Sequence, residues 1–128
     1  MKIVLATGGF DPLHSGHISY LKSARELGDK LIVGLNSDDW LTRKKGRPFM
    51  PYKERAAIVE NLKMVDHVMD FNDDEDHATD AIFKIYNKLM PDDILVFANG
   101  GDRTATNIPE MDCYQNSTNV RFVFGIGG

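Results

Sequence analysis

Residues 7–17, Thr-Gly-Gly-Phe-Asp-Pro-Leu-His-Ser-Gly-His, form the stretch from which the fold of this chain can be inferred. An apolar run, residues 3–6, comes directly before it, and a segment with helical spacing follows directly after it. The pattern therefore predicts a buried strand, a loop and a helix in succession. Open α/β sheets bind their ligands at such junctions, at the carboxyl ends of their strands.

Segments of the same two kinds alternate along the rest of the chain. Further strands are predicted from apolar runs at residues 30–35, 66–71, 94–98 and 120–124. The weak alternation of residues 66–71 indicates an edge strand. The first helix is expected to end at Gly28 in a left-handed conformation, and later helices are expected to open at Pro51, to span about residues 76–89 and to follow Pro109 briefly. This alternation predicts a single doubly wound α/β sheet of about five parallel strands.

Length, charge and composition exclude several classes of protein. The 128 residues suffice for one domain with its own core, and their formal net charge of -4 argues against general binding to nucleic acid. No apolar segment reaches the length that spans a membrane, and Met1 leads into a strand-like run instead of a signal peptide. Cys113 is the only cysteine, so an internal disulfide cannot form. We therefore expect a cytoplasmic protein that binds neither nucleic acid nor membrane.

The opening loop has the composition of a phosphate-binding site. His14 and His17 are three residues apart at a helix start, so they share one face and lie near the positive end of the helix dipole. Gly16 removes a Cβ where an anion would approach, and Gly8-Gly9 permits a tight exit from the strand. The spacing matches neither the Walker A motif nor the dinucleotide fingerprint. A zinc site of Asp11 and the two histidines is the alternative, but no fourth ligand has a recognisable spacing.

The same loop carries a resemblance to a known family. Gly8-Gly9-Phe10-Asp11-Pro12-Leu13-His14-Ser15-Gly16-His17 resembles the signature Gly-x-Phe-Asp-x-x-His-x-Gly-His of the cytidylyltransferase-like nucleotidyltransferases. Further matches, in the family's order, are Leu27-Gly28-Asp29, Asn36-Ser37-Asp38, Lys45-Gly46-Arg47-Pro48, Glu54-Arg55, Val65-Asp66 and Gly100-Gly101-Asp102. The resemblance covers about residues 3–103. It implies a Rossmann-like sheet and a nucleotidyl transfer, in which a phosphate oxygen of a small acceptor attacks the α-phosphorus of a nucleoside triphosphate and pyrophosphate leaves.

Such a transfer needs groups that stabilise charge on the phosphoryl oxygens. We expect His14 and His17 to be catalytic and to donate hydrogen bonds to these oxygens. The expected nucleotide-binding residues of the loop are Thr7, Gly8, Gly9, Phe10, Asp11 and Gly16, with Phe10 packing beneath it. The expected cofactor is Mg²⁺, which would bridge phosphate oxygens with Asp11 as a direct or water-mediated ligand.

Basic residues later in the sequence are expected to supply positive charge for the triphosphate. Residues 43–48 include four cations and show no apolar periodicity, so they are predicted to form a basic loop. The alternative is that these cations form only a solvated face. Within it, we expect Lys45 to be catalytic and Lys44 to bind the triphosphate. Arg55 is expected either to hold the pyrophosphate end or to form a surface ion pair with a neighbouring glutamate. By resemblance, the loop of residues 99–103 lies near the nucleoside, and we expect Gly101 and Asp102 to contact it.

The resemblance also bears on the substrates. The chain is more similar to the heptose 1-phosphate adenylyltransferases than to the glycerol-3-phosphate cytidylyltransferases, which favours ATP over CTP and a phosphorylated sugar or polyol as acceptor. Family members are often dimers, which makes a homodimer an expectation as well.

Family members continue into a Ser/Thr-rich segment that contacts the triphosphate and into a C-terminal helix, whereas this sequence ends at Gly128. Residues 1–128 are therefore expected to be a nucleotidyltransferase domain without these parts. Two hypotheses stay open, an enzyme and a non-catalytic nucleotide-binding module on the same fold.

Overall fold

Strands and helices alternate along the chain in a computed structural model that describes residues 1–100, 109–114 and 117–127. The strands are β1 (Lys2–Gly8), β2 (Lys30–Leu35), β3 (His67–Asp70), β4 (Ile94–Gly100) and β5 (Val120–Ile126). The helices are α1 (Ser15–Arg25), α2 (Asp38–Lys45), α3 (Tyr52–Glu60), α4 (Thr79–Tyr86) and α5 (Met111–Tyr114). No helix in these described ranges is long and apolar enough to cross a membrane.

The five strands form one parallel sheet with the order β3-β2-β1-β4-β5. The predicted Rossmann-like α/β fold with a single sheet is therefore confirmed, and β3 is an edge strand as expected. From β1 the chain passes to β2 on one side, and it reaches β4 on the other side of β1 only after β3. The crevice between the carboxyl ends of β1 and β4 is thus the switch point, where doubly wound sheets bind their ligands.

Both faces of the sheet are covered, which explains the continuous apolar run in β1. Val4 and Ala6 point to one face, where they pack in a buried cluster with residues of α1 and α3 that include Leu21, Ala24 and Val59. Leu5 points to the other face, into a cluster with Ala81, Ile82, Ile85, Leu95 and Phe97. The sheet therefore holds the end of β1 rigidly in the middle of the domain.

Two predicted boundaries are wrong. The basic residues 43–45 belong to the last turn of α2 and not to a loop, because cations are favoured at a helix C-terminus. Gly46 ends this helix with a φ of 92°, and its N–H donates to the carbonyl of Thr42 at 2.9 Å. Helix α4 is shorter than residues 76–89, since Asp76 has a φ of 62° that no α-helix accommodates.

Gly28 does not adopt the predicted left-handed conformation, since its φ is not among the positive values found. A Cβ at this position would lie 2.7 Å from the carbonyl oxygen of Lys2 and 2.9 Å from Cγ2 of Val4. Glycine is therefore required because the turn after α1 passes directly against β1.

Candidate active site

A cavity of about 450 Å³ opens at the switch point between β1 and β4. The predicted loop residues that line it are Thr7, Gly8, Gly9, Phe10, His14, Gly16 and His17. From the other side it is lined by Ala98, Asn99 and Gly100 of β4. The fold thus brings most of the predicted signature residues to one concave site.

His14 and His17 form a reciprocal cap at the N-terminus of α1. His14 is the N-cap residue, and its Nδ1 accepts a hydrogen bond from the N–H of Gly16 at 3.1 Å. Nδ1 of His17 accepts one from the N–H of His14, also at 3.1 Å. A Cβ on Gly16 would lie 2.9 Å from Cε1 of His14, so glycine makes room for the folded-back imidazole.

This cap determines where each neutral imidazole carries its proton. Because both Nδ1 atoms accept hydrogen bonds, the proton lies on Nε2 of His14 and of His17. The two rings stack with centroids 3.8 Å apart and an angle of 25°. Neither Nε2 atom has a hydrogen-bond partner among the residues that the structure describes. Two parallel N–H donors are therefore available beside the positive end of the α1 dipole.

His17 is held in its neutral form. Burial lowers its pKa below the usual 6.5, and repulsion from a charged His14 would lower it further. The ring also meets the edge of Phe10, with centroids 5.0 Å apart, and Phe10 itself is only 4% exposed. The hydrogen-bond donors and helix dipole of this site therefore act at neutral pH without a positive charge on His17.

Asp11 lies in the loop of residues 9–14 between β1 and α1, called the signature loop below. It holds the connection between α2 and α3 against this loop. Its carboxylate accepts hydrogen bonds from the N–H groups of Phe49 at 2.6 Å and Met50 at 2.7 Å, and it pairs with Nζ of Lys45 at 2.8 Å. Burial alone would raise its pKa, but Lys45 and the two N–H groups together lower the pKa below 3.8. The carboxylate therefore stays ionised as a structural acceptor.

The expectation that Asp11 ligates Mg²⁺ does not fit these contacts. Both oxygens already accept hydrogen bonds, and the side chain is only 1% exposed. Across the described parts of the chain, no three or more His, Cys, Asp or Glu side chains are grouped to hold a metal ion. No step of the chemistry is therefore assigned to a metal held by this protein, and the alternative zinc site gains no support.

The two predicted lysines have different surroundings. Nζ of Lys45 donates to the carbonyl oxygen of Asp11 at 2.6 Å as well as to its carboxylate, so it lies at the signature loop with a side chain that is 38% exposed. Nζ of Lys44 lies 5.5 Å from the centre of the Trp40 ring, in a cation–π contact. Only Lys45 directly contacts the loop that bears the histidines.

Arg55 is a buried structural residue, which corrects both expectations for it. Its side chain is 0% exposed and pairs with the carboxylate of Asp38 at 2.7 Å. It also donates to the carbonyl oxygens of Gly9, Asn36 and Met50 at 2.8 to 3.0 Å. The guanidinium joins the loops that follow β1 and β2 to the start of α3. Its ion-pair partner is Asp38 instead of a neighbouring glutamate, and its burial leaves no open access to a pyrophosphate.

Tyr20, to which the sequence assigns no role, lines the cavity. Asn99 lines it too, and it is the first residue of the loop 99–103 that the resemblance places near the nucleoside. Tyr20 follows His17 by three residues on α1, a spacing that places both on one helix face, and its hydroxyl donates to the carbonyl oxygen of Ala98 at 2.7 Å. The predicted nucleoside contacts Gly101 and Asp102 lie outside the described residues.

A larger cavity of about 800 Å³ lies elsewhere, against the C-terminal half of α4 and the β1–β3 part of the sheet. Its walls include Ile3, Ile32, Met69 and Phe83, and it contains none of the signature residues. A helix C-terminus repels anions. Volume alone therefore does not identify the phosphate site, and the smaller cavity with its convergent donors is the candidate.

Known proteins are similar to this chain in sequence and in fold. Residues 5–124 match the family described as Cytidylyltransferase-like. The chain is 42% identical to the bifunctional protein HldE of Haemophilus influenzae over 132 residues and 43% identical to that of Shewanella sediminis over 103 residues. These alignments cover 93% and 79% of this chain, but only 27% and 20% of the relatives.

A solved structure is similar over almost the whole domain. The lipopolysaccharide core biosynthesis protein from Thermoplasma volcanium superposes with a TM-score of 0.72 and 28% sequence identity. The superposition covers 97% of this chain and 95% of that protein. The shared fold thus extends across the sheet and both layers of helices.

Proposed function

Because the chain belongs to the cytidylyltransferase-like family, we propose that it moves a nucleoside monophosphate from ATP to a phosphorylated sugar or polyol and releases pyrophosphate. The observation that carries this proposal is the pair of Nε2–H donors of His14 and His17 at the switch-point cavity. Their position beside a helix N-terminus suits a phosphoryl group in transfer.

The reaction requires positioning and charge stabilisation more than proton transfer. An acceptor phosphate has a second pKa of about 6, so at neutral pH it provides an ionised oxygen that needs no general base. This oxygen forms a bond to the α-phosphorus, and the bond from the α-phosphorus to the bridging oxygen breaks. The electron pair of that bond leaves with pyrophosphate. His14 and His17 donate to the α-phosphoryl oxygens, and the dipole of α1 stabilises the same charge.

Lys45 contacts the signature loop at the carbonyl oxygen and the carboxylate of Asp11. An ammonium has three N–H donors, and two of them serve Asp11. The third is available to a phosphate oxygen of the triphosphate. We therefore assign Lys45 to charge neutralisation, while the buried Arg55 acts through the loops that it holds together.

The choice of substrates follows the relatives. The HldE proteins match nearly the full length of this domain, and the resemblance to heptose 1-phosphate adenylyltransferases favours ATP as donor and a heptose 1-phosphate as acceptor. CTP with glycerol 3-phosphate is the alternative pair. Magnesium, carried by the nucleotide, stays a prediction.

One assay tests the proposal. The protein is incubated with ATP or CTP and with heptose 1-phosphate, mannose 1-phosphate or glycerol 3-phosphate, with and without MgCl₂, and pyrophosphate is measured. We expect release that depends on ATP and on a sugar phosphate. Nucleotide binding without release for every acceptor would instead identify a non-catalytic module. The double variant His14→Ala/His17→Ala controls for contaminating activity.

A further inference from the structure

Asn99, the last residue but one of β4, has a buried side chain whose hydrogen bonds are incomplete. The residue lines the switch-point cavity and is 2% exposed. Its amide nitrogen donates to the carbonyl oxygens of Phe97 at 3.3 Å and Val123 at 3.2 Å. Its amide oxygen, Oδ1, is the only buried side-chain nitrogen or oxygen without a partner in the described parts of the chain. Buried polar groups are almost always hydrogen-bonded, so this exception calls for an explanation.

The two carbonyl groups determine which way this amide points. Only the NH₂ end of an asparagine can donate to a carbonyl oxygen, so a flipped amide would bring its oxygen against two acceptors. Val123 lies on β5, which borders β4 on one side, whereas β1 borders β4 on the other side. The oxygen of a planar amide points away from its nitrogen. Oδ1 is therefore turned away from β5, toward the side of β4 on which the cavity lies.

An irregularity in the sheet holds Asn99 in this position. Ala98 pairs with Val123 and Gly100 pairs with Ile126, so β5 has one residue more than β4 between the two pairs. The side-chain amide of Asn99 donates to the carbonyl oxygen of Val123 at this bulge. Bulges are frequent next to active sites, where they direct a side chain. The unpaired oxygen is thus held in a fixed place beside the cavity.

A nucleotide offers hydrogen-bond donors only at its nucleoside end, because its phosphate oxygens are acceptors. The proposed phosphate donors, His14 and His17, lie on the signature-loop side of the cavity, and Asn99 lies on the β4 side. Tyr20 and Ile126 also line the cavity, and such aromatic and apolar walls suit a flat base. A nucleobase with an exocyclic amino group combines this flat shape with an N–H donor for Oδ1.

We propose that Oδ1 of Asn99 accepts a hydrogen bond from the exocyclic amino group of the nucleobase and thereby selects the nucleotide. This inference rests on the proposed function. ATP and the alternative donor CTP both carry such an amino group, whereas ITP and UTP carry an oxygen acceptor in its place. An acceptor there would leave Oδ1 unpaired, and a site built to bond an N–H rejects analogues that lack it.

Binding of ATP and ITP, measured by calorimetry without an acceptor, tests this assignment. We expect the wild type to bind ATP about tenfold more tightly than ITP, or better. Asn99→Ala should abolish this preference, chiefly through weaker binding of ATP. Asn61→Ala is the matched control and should keep the preference, since Asn61 is exposed and donates to the carbonyl oxygen of Ala57 within α3.

Asn99→Asp separates the acceptor from the support of the sheet. It keeps an oxygen acceptor but has no N–H for the carbonyl oxygen of Val123. Its thermal stability should therefore fall with that of Asn99→Ala, while its preference for ATP over ITP remains. If neither variant folds, purine riboside triphosphate, which has hydrogen in place of the amino group, is added to the wild type. Weaker binding than that of ATP supports the assignment, and equally tight binding overturns it.

Two further results would overturn the assignment and leave the proposed function intact. One is a preference for ATP that persists in Asn99→Ala. The other is a loss of affinity for 2′-deoxyATP that disappears in Asn99→Ala, which would pair Oδ1 with the ribose instead of the base. A wild-type protein that binds no nucleotide and releases no pyrophosphate would overturn both.

Discussion

The imidazole rings of His14 and His17 are stacked 3.8 Å apart, and Nδ1 of His17 accepts the backbone N–H of His14. The pair therefore caps α1 and at the same time presents two Nε2–H groups to the switch-point cavity. The helix cap and the proposed phosphate site are built from the same two side chains. Substitutions must separate these two tasks before any loss of activity can be interpreted.

The first prediction makes this separation at His17. His17→Ala removes both the cap and the donor, so it should lower kcat by about 10²–10³-fold and cost about 1 kcal/mol of stability. Nucleotide affinity should change little, because the donor acts mainly on the transition state. His17→Glu can restore the acceptor for the N–H of His14, as in a capping box, but it offers no N–H donor. The melting temperature of His17→Glu should return toward the wild-type value while kcat stays low. If kcat returns as well, His17 acts only as a helix cap.

The protonation state of the pair is a second prediction, which long-range ¹⁵N–¹H NMR of the histidine rings can check. At pH 8 both rings should carry their proton on Nε2, because both Nδ1 atoms accept hydrogen bonds. The midpoint for His17 should lie below 6.5, since burial lowers its pKa. Protons on Nδ1 would contradict the proposed donors.

The same lowered pKa of His17 predicts how stability depends on pH. The unfolded chain, with its ordinary pKa of 6.5, binds the proton more readily than the folded one. The contribution of His17 to stability is therefore complete above pH 6.5 and is lost as the pH falls from 6.5 through the lower folded value. Urea unfolding between pH 5 and 8 measures the free energy of unfolding of the wild type and of His17→Ala. The difference between the two proteins should become smaller as the pH falls. A difference that becomes larger would mean that the pKa of His17 is raised in the folded protein.

Lys45 is the subject of the third prediction. Its ammonium contacts Asp11 and has one remaining donor for a phosphate. Lys45→Ala should weaken binding of ATP by about tenfold or more and binding of AMP much less, because fewer charges are neutralised on the monophosphate. Calorimetric titration with both nucleotides measures this ratio. The exposed Lys53, on α3, provides the control substitution Lys53→Ala; equal losses for ATP and AMP would exclude Lys45 from the triphosphate site.

The fourth prediction concerns the buried Arg55. Its guanidinium pairs with Asp38 and satisfies three carbonyl groups of the surrounding loops. Arg55→Ala should cost about 3–5 kcal/mol of unfolding free energy, since buried polar groups lose their partner. Asp38→Asn should cost less than Arg55→Ala, because asparagine keeps an oxygen that accepts from the guanidinium and the Asp38 side chain is 43% exposed. Urea denaturation measures the stability of both variants. A well-folded Arg55→Ala protein that has lost only its affinity for pyrophosphate would show instead that Arg55 holds the pyrophosphate end.

The sequence predicts secondary structure correctly where the side chains of an element are buried. Strands such as residues 94–98 are covered on both faces, so they show an unbroken apolar run that needs no further information. The end of α2 was predicted wrongly because Arg43, Lys44 and Lys45 lack apolar periodicity, although cations are favoured in the last turn of a helix.

Roles that depend on distant partners could not be read from the sequence. Asp11 meets the N–H of Phe49, 38 residues later, and Arg55 meets the carbonyl of Asn36, 19 residues earlier. A charged side chain is usually exposed, so nothing local indicates that Arg55 is buried. The histidine pair was predictable as a pair, but its service as a helix cap depends on backbone geometry that only the structure describes.

The proposed transfer of the adenylyl group of ATP, which contains the α-phosphate, is tested with labelled ATP. ATP carrying ³²P at either the α or the γ position is incubated with the protein and heptose 1-phosphate, and the products are separated. We expect the α label to move to the acceptor and the γ label to leave in pyrophosphate. Transfer of the γ label to the acceptor, with the α label left in ADP, would contradict it.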